Sequence, residues 1–168
     1  KDGMPSVRNS APVTTAYGFV TSSRKSVAEK EKPGNTAACD ATPNYIVLPE
    51  TDSLFTYTLT VDAPEERAMD KLIFIDGLPA PNDHSSFQND DPRYSEFKVA
   101  FADKPNVTVT VTTKNGSVST LTADQFKVEY STKTEFDADD WKGISQWNGS
   151  PTDARSLRVT ILDSSGTL

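Results

Sequence analysis

Strict alternation is the feature that most limits what this chain can become. Residues 54–61 read LFTYTLTV, with Phe55, Tyr57, Leu59 and Val61 at every second position and Thr56, Thr58 and Thr60 between them. Successive side chains of an extended strand point to opposite faces, so one face would be apolar and the other hydroxylic. A helix cannot hold such a set on one side, because its period is 3.6 residues. The alternation returns at 96–101 (Phe97, Val99, Phe101), 107–112 (Val107, Val109, Val111), 125–130 (Phe126, Val128, Tyr130) and 156–162 (Leu157, Val159, Ile161). Residues 71–75 are apolar on both faces after Lys71, which predicts a strand central in its sheet. Asn115-Gly116 between two such runs is a hairpin signal, and Thr122-Ala123-Asp124 reads as a turn. Seven to eight short strands at spacings of about ten residues predict an all-β chain, an immunoglobulin-like β-sandwich with long loops at 80–93 and 135–151.

The first part of the chain breaks this rhythm. Residues 11–20 hold Val13, Tyr17 and Phe19 in a strand-like setting, but 21–42 are polar, with few large apolar side chains. Such a stretch buries too little surface to offset the entropy of ordering, so it reads as a linker or exposed loop. The expected division is therefore 1–43, a closing strand of a preceding repeat plus linker, and 44–168, the sandwich.

Composition narrows the function. Of 168 residues, 24 are Asp or Glu and 17 Lys or Arg, a net charge of -7. Nucleic acid is a poor partner for such a chain, since phosphate binding needs clustered cations. Mean hydropathy is -0.52, and no apolar run is long enough to insert in a membrane as a helix. A single Cys and a single His exclude an internal disulfide and a multi-histidine metal site. His84 lies beside Asp83 and Ser85, but a catalytic triad converges in space and not in sequence. No nucleophile elbow, phosphate loop or Cys–His pairing is present, so the chain is expected not to be an enzyme.

Two groups of residues could still bind something. Asn89-Asp90-Asp91 and Asp137-Ala138-Asp139-Asp140 are oxygen-rich, as calcium requires. Trp141 and Lys142 then stand where a calcium loop needs a ligand and a glycine, and solvated turn carboxylates are the plainer reading. No cofactor is expected beyond that calcium. Trp141 and Trp147 flank a polar loop, and Tyr94 sits in the other. Exposed, these rings could stack on sugars or anchor a protein; buried, they would cap the sandwich.

Five segments, in order, carry a resemblance. They are FTYTLTV (55–61), KLIFIDGLPAPNDH (71–84), SEFKVAFAD (95–103), FKVEYSTKTEF (126–136) and PTDARSLRVTI (151–161). Together the chain from about 43 onward resembles the repeat modules of Gram-positive cell-wall-anchored surface proteins, immunoglobulin-like sandwiches strung into stalks. The family pattern runs past a DSSGTL-like turn into one more strand than this sequence holds. Residues 8–13 look like the closing strand of a preceding repeat, and an N-terminal strand could fill such an open edge.

The resemblance implies a non-catalytic stalk repeat of an adhesin on the wall of a Gram-positive bacterium, with neighbouring repeats of the same protein as partners. Its alternative is an adhesion module that takes host glycan or matrix protein through loops 80–93 and 135–151. The resemblance also implies a self-made Lys–Asn isopeptide bond promoted by a buried acid. That chemistry needs a neutral amine beside a polarised carboxamide. Lys71 is the expected lysine, with Asn44, Asn9 or Asn106 as amide and Asp76 or Glu96 as acid. Lys98 and Lys127 alternate away from the apolar face and are expected to be solvated.

Overall fold

The computed structural model describes residues 6–8, 22–32, 34–38, 45–47, 53–62, 71–84, 92, 95, 98–102, 105–134, 136 and 147–162. Ten strands are found among them: β1 (Ser6–Arg8), β2 (Ser22–Glu29), β3 (Thr36–Ala38), β4 (Tyr45–Val47), β5 (Phe55–Asp62), β6 (Lys71–Gly77), β7 (Thr110–Thr112), β8 (Val118–Thr120), β9 (Phe126–Ser131) and β10 (Ser156–Leu162). The described residues contain no helix. All pairings are antiparallel, in two three-stranded sheets, β3-β2-β5 and β6-β10-β9, and two hairpin-sized sheets, β1-β4 and β7-β8. The chain is an all-β sandwich, as its alternation requires.

Alternation becomes burial along β5, where Phe55, Tyr57, Leu59 and Val61 are half-buried and Thr56, Thr58, Thr60 and Asp62 exposed. β5 pairs with β2 over eight residues, from Ser22 opposite Asp62 to Glu29 opposite Phe55. β2 and β3 thus form part of the sheet, in the stretch 21–42 that composition assigns to a linker. The missing apolar signal has a physical reason: the buried face of β2 is Lys25, Val27 and Glu29, only one of them apolar. A sandwich boundary at residue 43 therefore cuts through paired strands.

The second sheet is buried on both faces. Ile73 and Ile75 of β6 pack with Phe136 and Trp147 on one side. On the other, Leu72, Val159 and Ile161 pack with Phe74, Val107, Val109, Leu121, Phe126, Val128 and Leu157. β6 was expected in the centre because both its faces are apolar. Instead, among the described residues, β10 is central and β6 lies at one end of the sheet order. Burial of two faces follows from layers above and below, and does not require neighbours on both edges.

Hydrogen bonds to irregular backbone complete this half. The Asn-Gly hairpin forms as expected between β7 and β8. Gly116 takes φ 83° there, a left-handed conformation suited to glycine. Its N–H donates to the Thr113 carbonyl at 2.8 Å, and Asn115 Oδ1 accepts from the Ser117 N–H at 3.1 Å. The stretch 98–101 does not pair as a strand, contrary to its alternation. Val99 N–H donates to the Pro79 carbonyl at 2.9 Å, but the Arg155 guanidinium occupies the Val99, Leu78 and Pro79 carbonyls at 2.9, 3.3 and 3.2 Å. One arginine thereby takes acceptors that a ladder would use. Beside β9, Gly149 N–H donates to the Tyr130 carbonyl at 2.9 Å, and a Cβ at Gly149 would stand 3.1 Å from that oxygen.

Candidate functional site: a buried lysine between two sheets

Lys25 is the central residue of the site. It lies on β2, opposite Leu59 of β5. Alternation sends Arg24 outward, where it is exposed, and Lys25 inward, where it is 2% exposed. Its Nζ donates to both carboxylate oxygens of Asp76, at 2.6 and 2.9 Å. Asp76 is 4% exposed and belongs to β6 of the other three-stranded sheet. The ammonium also sits 3.8 Å from the ring centroid of Tyr57, diagonally across the β2–β5 ladder. A cation over an aromatic face gains from the ring quadrupole, most where water is excluded. Two residues on, the buried Glu29 accepts from Asn35 Nδ2 at 2.7 Å.

A second charged group lies in the other sheet. Arg158 of β10 pairs directly with Glu129 of β9 in register. Its Nε and Nη2 donate to Glu129 Oε2 at 3.0 and 2.7 Å, and Lys127 Nζ lies 2.7 Å from Oε1. The guanidinium carbon sits 4.8 Å from the Trp147 ring, which stacks on Phe136 at 4.9 Å and 12°. Burial by itself would raise the Glu129 carboxyl. Hydrogen bonds and charge from Lys127 and Arg158 outweigh it and hold the carboxyl below its ordinary range.

The sequence-predicted residues distribute unevenly over this geometry. Asp76 is in the site, partnered by Lys25. Lys71 begins β6, opposite Leu162 of β10. Residue 71 shares its parity with Ile73 and Ile75, whose cluster is separate from that of Leu72 and Phe74 on the Asp76 side. Trp147 is 4% exposed and is a core residue rather than an open platform. Lys98 and Lys127 are exposed, as alternation expects, and so is Asn106. Asn44, Asn9, Glu96, Asn89, Asp90, Asp91, Tyr94, Asp137, Asp139, Asp140 and Trp141 lie outside the described residues. Among the described residues no group of three or more His, Cys, Asp or Glu side chains is placed to hold a metal.

Lys25 is the residue that sequence reasoning passes over. It stands in a run with Arg24, Lys30 and Lys32, which looks like a solvated basic stretch. The available signal was the other partner: an aspartate closing the apolar run Leu72-Ile73-Phe74-Ile75, whose charge needs a cation once buried.

Comparisons with protein-family models, with curated proteins and with solved structures found no match to this chain. Fold and site together define a β-sandwich whose two principal sheets are tied by a buried ion pair.

Proposed function

We propose that this chain is a non-catalytic structural repeat of the stalk of a bacterial cell-surface adhesin. On this reading it lies outside the cell, anchored to the wall of a Gram-positive bacterium, and adjoins further repeats of the same protein. The observation that supports it is the inward use of charge. Lys25 and Asp76 engage each other across two sheets at 2.6 Å, and Arg158 engages Glu129 at 2.7 Å within one. Polar chemistry of this kind ties strands together. The test is to stretch single molecules of the chain between its ends beside a helical bundle of equal length. The expected outcome is a clearly higher unfolding force than the bundle; a force at or below it overturns the reading. The alternative, capture of glycan or matrix protein through loops 80–93 and 135–151, loses one of its rings, since Trp147 is in the core.

The same ion pair favours a second reading, a self-crosslinking module in which Lys25 takes the part expected for Lys71. A proton moves from the Lys25 ammonium to Asp76, leaving a neutral amine beside an acid. The amine attacks the side-chain carbonyl carbon of an asparagine. An amide bond to Nζ forms, the carbon–nitrogen bond of the carboxamide breaks, and ammonia leaves with the amine's proton relayed through Asp76. Among the described asparagines, Asn82, Asn106, Asn115 and Asn148 are exposed and Asn35 bonds Glu29. The amide donor would therefore lie outside them, with Asn44 and Asn9 the expected choices in this sequence. Intact mass decides: a deficit of about 17 Da supports the bond, and an unchanged mass removes it.

A further inference from the structure

The sequence Asn-Gly-Ser occurs twice in this chain, at 115–117 and at 148–150. Asparagine is a thermolabile residue, and a following glycine leaves it most open to one spontaneous reaction. The glycine's backbone nitrogen attacks the asparagine's side-chain carbonyl carbon, with no Cβ on the glycine to obstruct it. That nitrogen gives its proton to solvent base and bonds to Cγ, closing a five-membered ring. The Cγ–Nδ2 bond breaks, and Nδ2 takes up a proton and leaves as ammonia. Water then opens the ring at either carbonyl, giving aspartate or the isomer whose main chain runs through Cβ and Cγ. The chemistry needs water, and neither a partner nor an enzyme. Both sites have the same reacting residues, so a difference between them comes from the fold.

The fold holds the two differently. Asn115 is exposed at the tip of the β7–β8 hairpin, as is every residue from 112 to 120. Local bonds close the tip. Gly116 N–H donates to the Thr113 carbonyl at 2.8 Å, Ser117 N–H to Asn115 Oδ1 at 3.1 Å, and the Thr113 hydroxyl to the same Oδ1. The first of these keeps the nucleophile's proton from solvent base. Each bond favours the closed tip by a factor of only roughly two to ten, since water replaces it on opening. Further along, Leu121 N–H donates to the Val109 carbonyl at 2.9 Å, and both side chains pack against the cluster of Leu72, Val159 and Ile161. The tip can therefore open while its base stays in place.

Asn148 is exposed as well, but its backbone is fixed on both sides. Trp147 is buried, stacked on Phe136 beside Ile73 and Ile75. Gly149 N–H donates to the Tyr130 carbonyl of β9 at 2.9 Å, and a Cβ at Gly149 would meet that oxygen at 3.1 Å. Releasing this nitrogen means lifting the backbone off β9 and disturbing the seat of Trp147, an opening that belongs to the core. We propose that Asn115 is a site of spontaneous conversion to a carboxylate, reacting through brief openings of the hairpin tip, and that the fold spares Asn148 the same chemistry. Aspartate at 115 keeps an oxygen for Ser117 and Thr113 and adds a negative charge to a chain already at -7. The isomer lengthens the main chain and works against the register that sets Thr112 opposite Val118.

The experiment incubates the whole folded chain at mildly alkaline pH beside the peptides TTKNGSV and SQWNGSP. Peptide mapping at mildly acidic pH assigns each gain of about 1 Da to its asparagine. The two peptides should react at similar rates, and so should the two sites in the urea-unfolded chain. In the folded chain Asn115 should convert at least about tenfold faster than Asn148. It should lag behind its own peptide by the factor that protects the Gly116 amide from hydrogen exchange, because both report one opening. Thr113→Val should speed conversion at Asn115 by roughly two- to tenfold, with Gly116 protection falling in step, and leave Asn148 unchanged. Equal rates at the two sites of the folded chain, or a faster Asn148, overturn the proposal. So does conversion at Asn115 that outruns the exchange-derived opening, or none in the time that opening allows. Slower conversion in Thr113→Val also overturns it, since the hydroxyl would then activate Oδ1 within the closed tip.

Discussion

An ammonium group at 2% exposure, such as that of Lys25, has lost nearly all its water. Taking a lysine and an aspartate out of water costs several kcal/mol for each ion after relaxation. Their attraction at 2.6 Å offsets that cost only while both are present. Removing one partner strands the other. Lys25→Met should therefore destabilise the fold by about 3–5 kcal/mol, and so should Asp76→Leu. The double substitution should come out near the starting stability or above it. Urea unfolding of the three variants checks this, and additive losses would contradict it. The lysine was hard to read in the sequence because nothing local distinguishes a buried lysine from a solvated one. Its environment is set by Asp76, fifty-one residues away.

At the scale of elements, β9 and β10 show how a ladder carries a charge clamp. Glu129 and Arg158 are opposite residues, so the pair reinforces the register that the backbone already makes. Lys127 and Arg158 hold the Glu129 carboxyl below its usual range. A carboxyl depressed in the folded state contributes stability that is complete above its unfolded value, about 4.3, and is lost as pH falls through the folded value. Stability should thus decline below about pH 4.3, and Glu129→Gln should flatten that part of the curve while lowering stability at neutral pH. Urea midpoints from pH 7 to 3 give the comparison, and parallel curves for the two proteins would refute the assignment. Elements with alternating apolar residues were legible: β5, β9, β10 and the Asn-Gly hairpin lie where their residues place them. Residues 98–101 alternate equally well, yet a distant arginine takes the carbonyls they face. β2 reverses the case, forming a long strand with Val27 as its one buried apolar residue.

For the molecule as a whole, the all-β class follows from pattern alone, because a period of two leaves no other regular structure. The assembly of the strands does not follow from pattern. Which strand is central depends on partners, and β6 and β10 are both apolar on at least one face. The site was legible in half: Asp76 stands out as a charge ending an apolar run, while its cation had to be found in space. The close approach of Gly149 to the backbone of Tyr130 has a consequence for crowding. A bare strand border invites another chain to add itself. Here Gly149, which has no side chain, lies against β9 and holds the Tyr130 carbonyl, a fit that even one methyl group would strain. Copies that meet at this border would then remain individuals, instead of knitting into a continuous fabric.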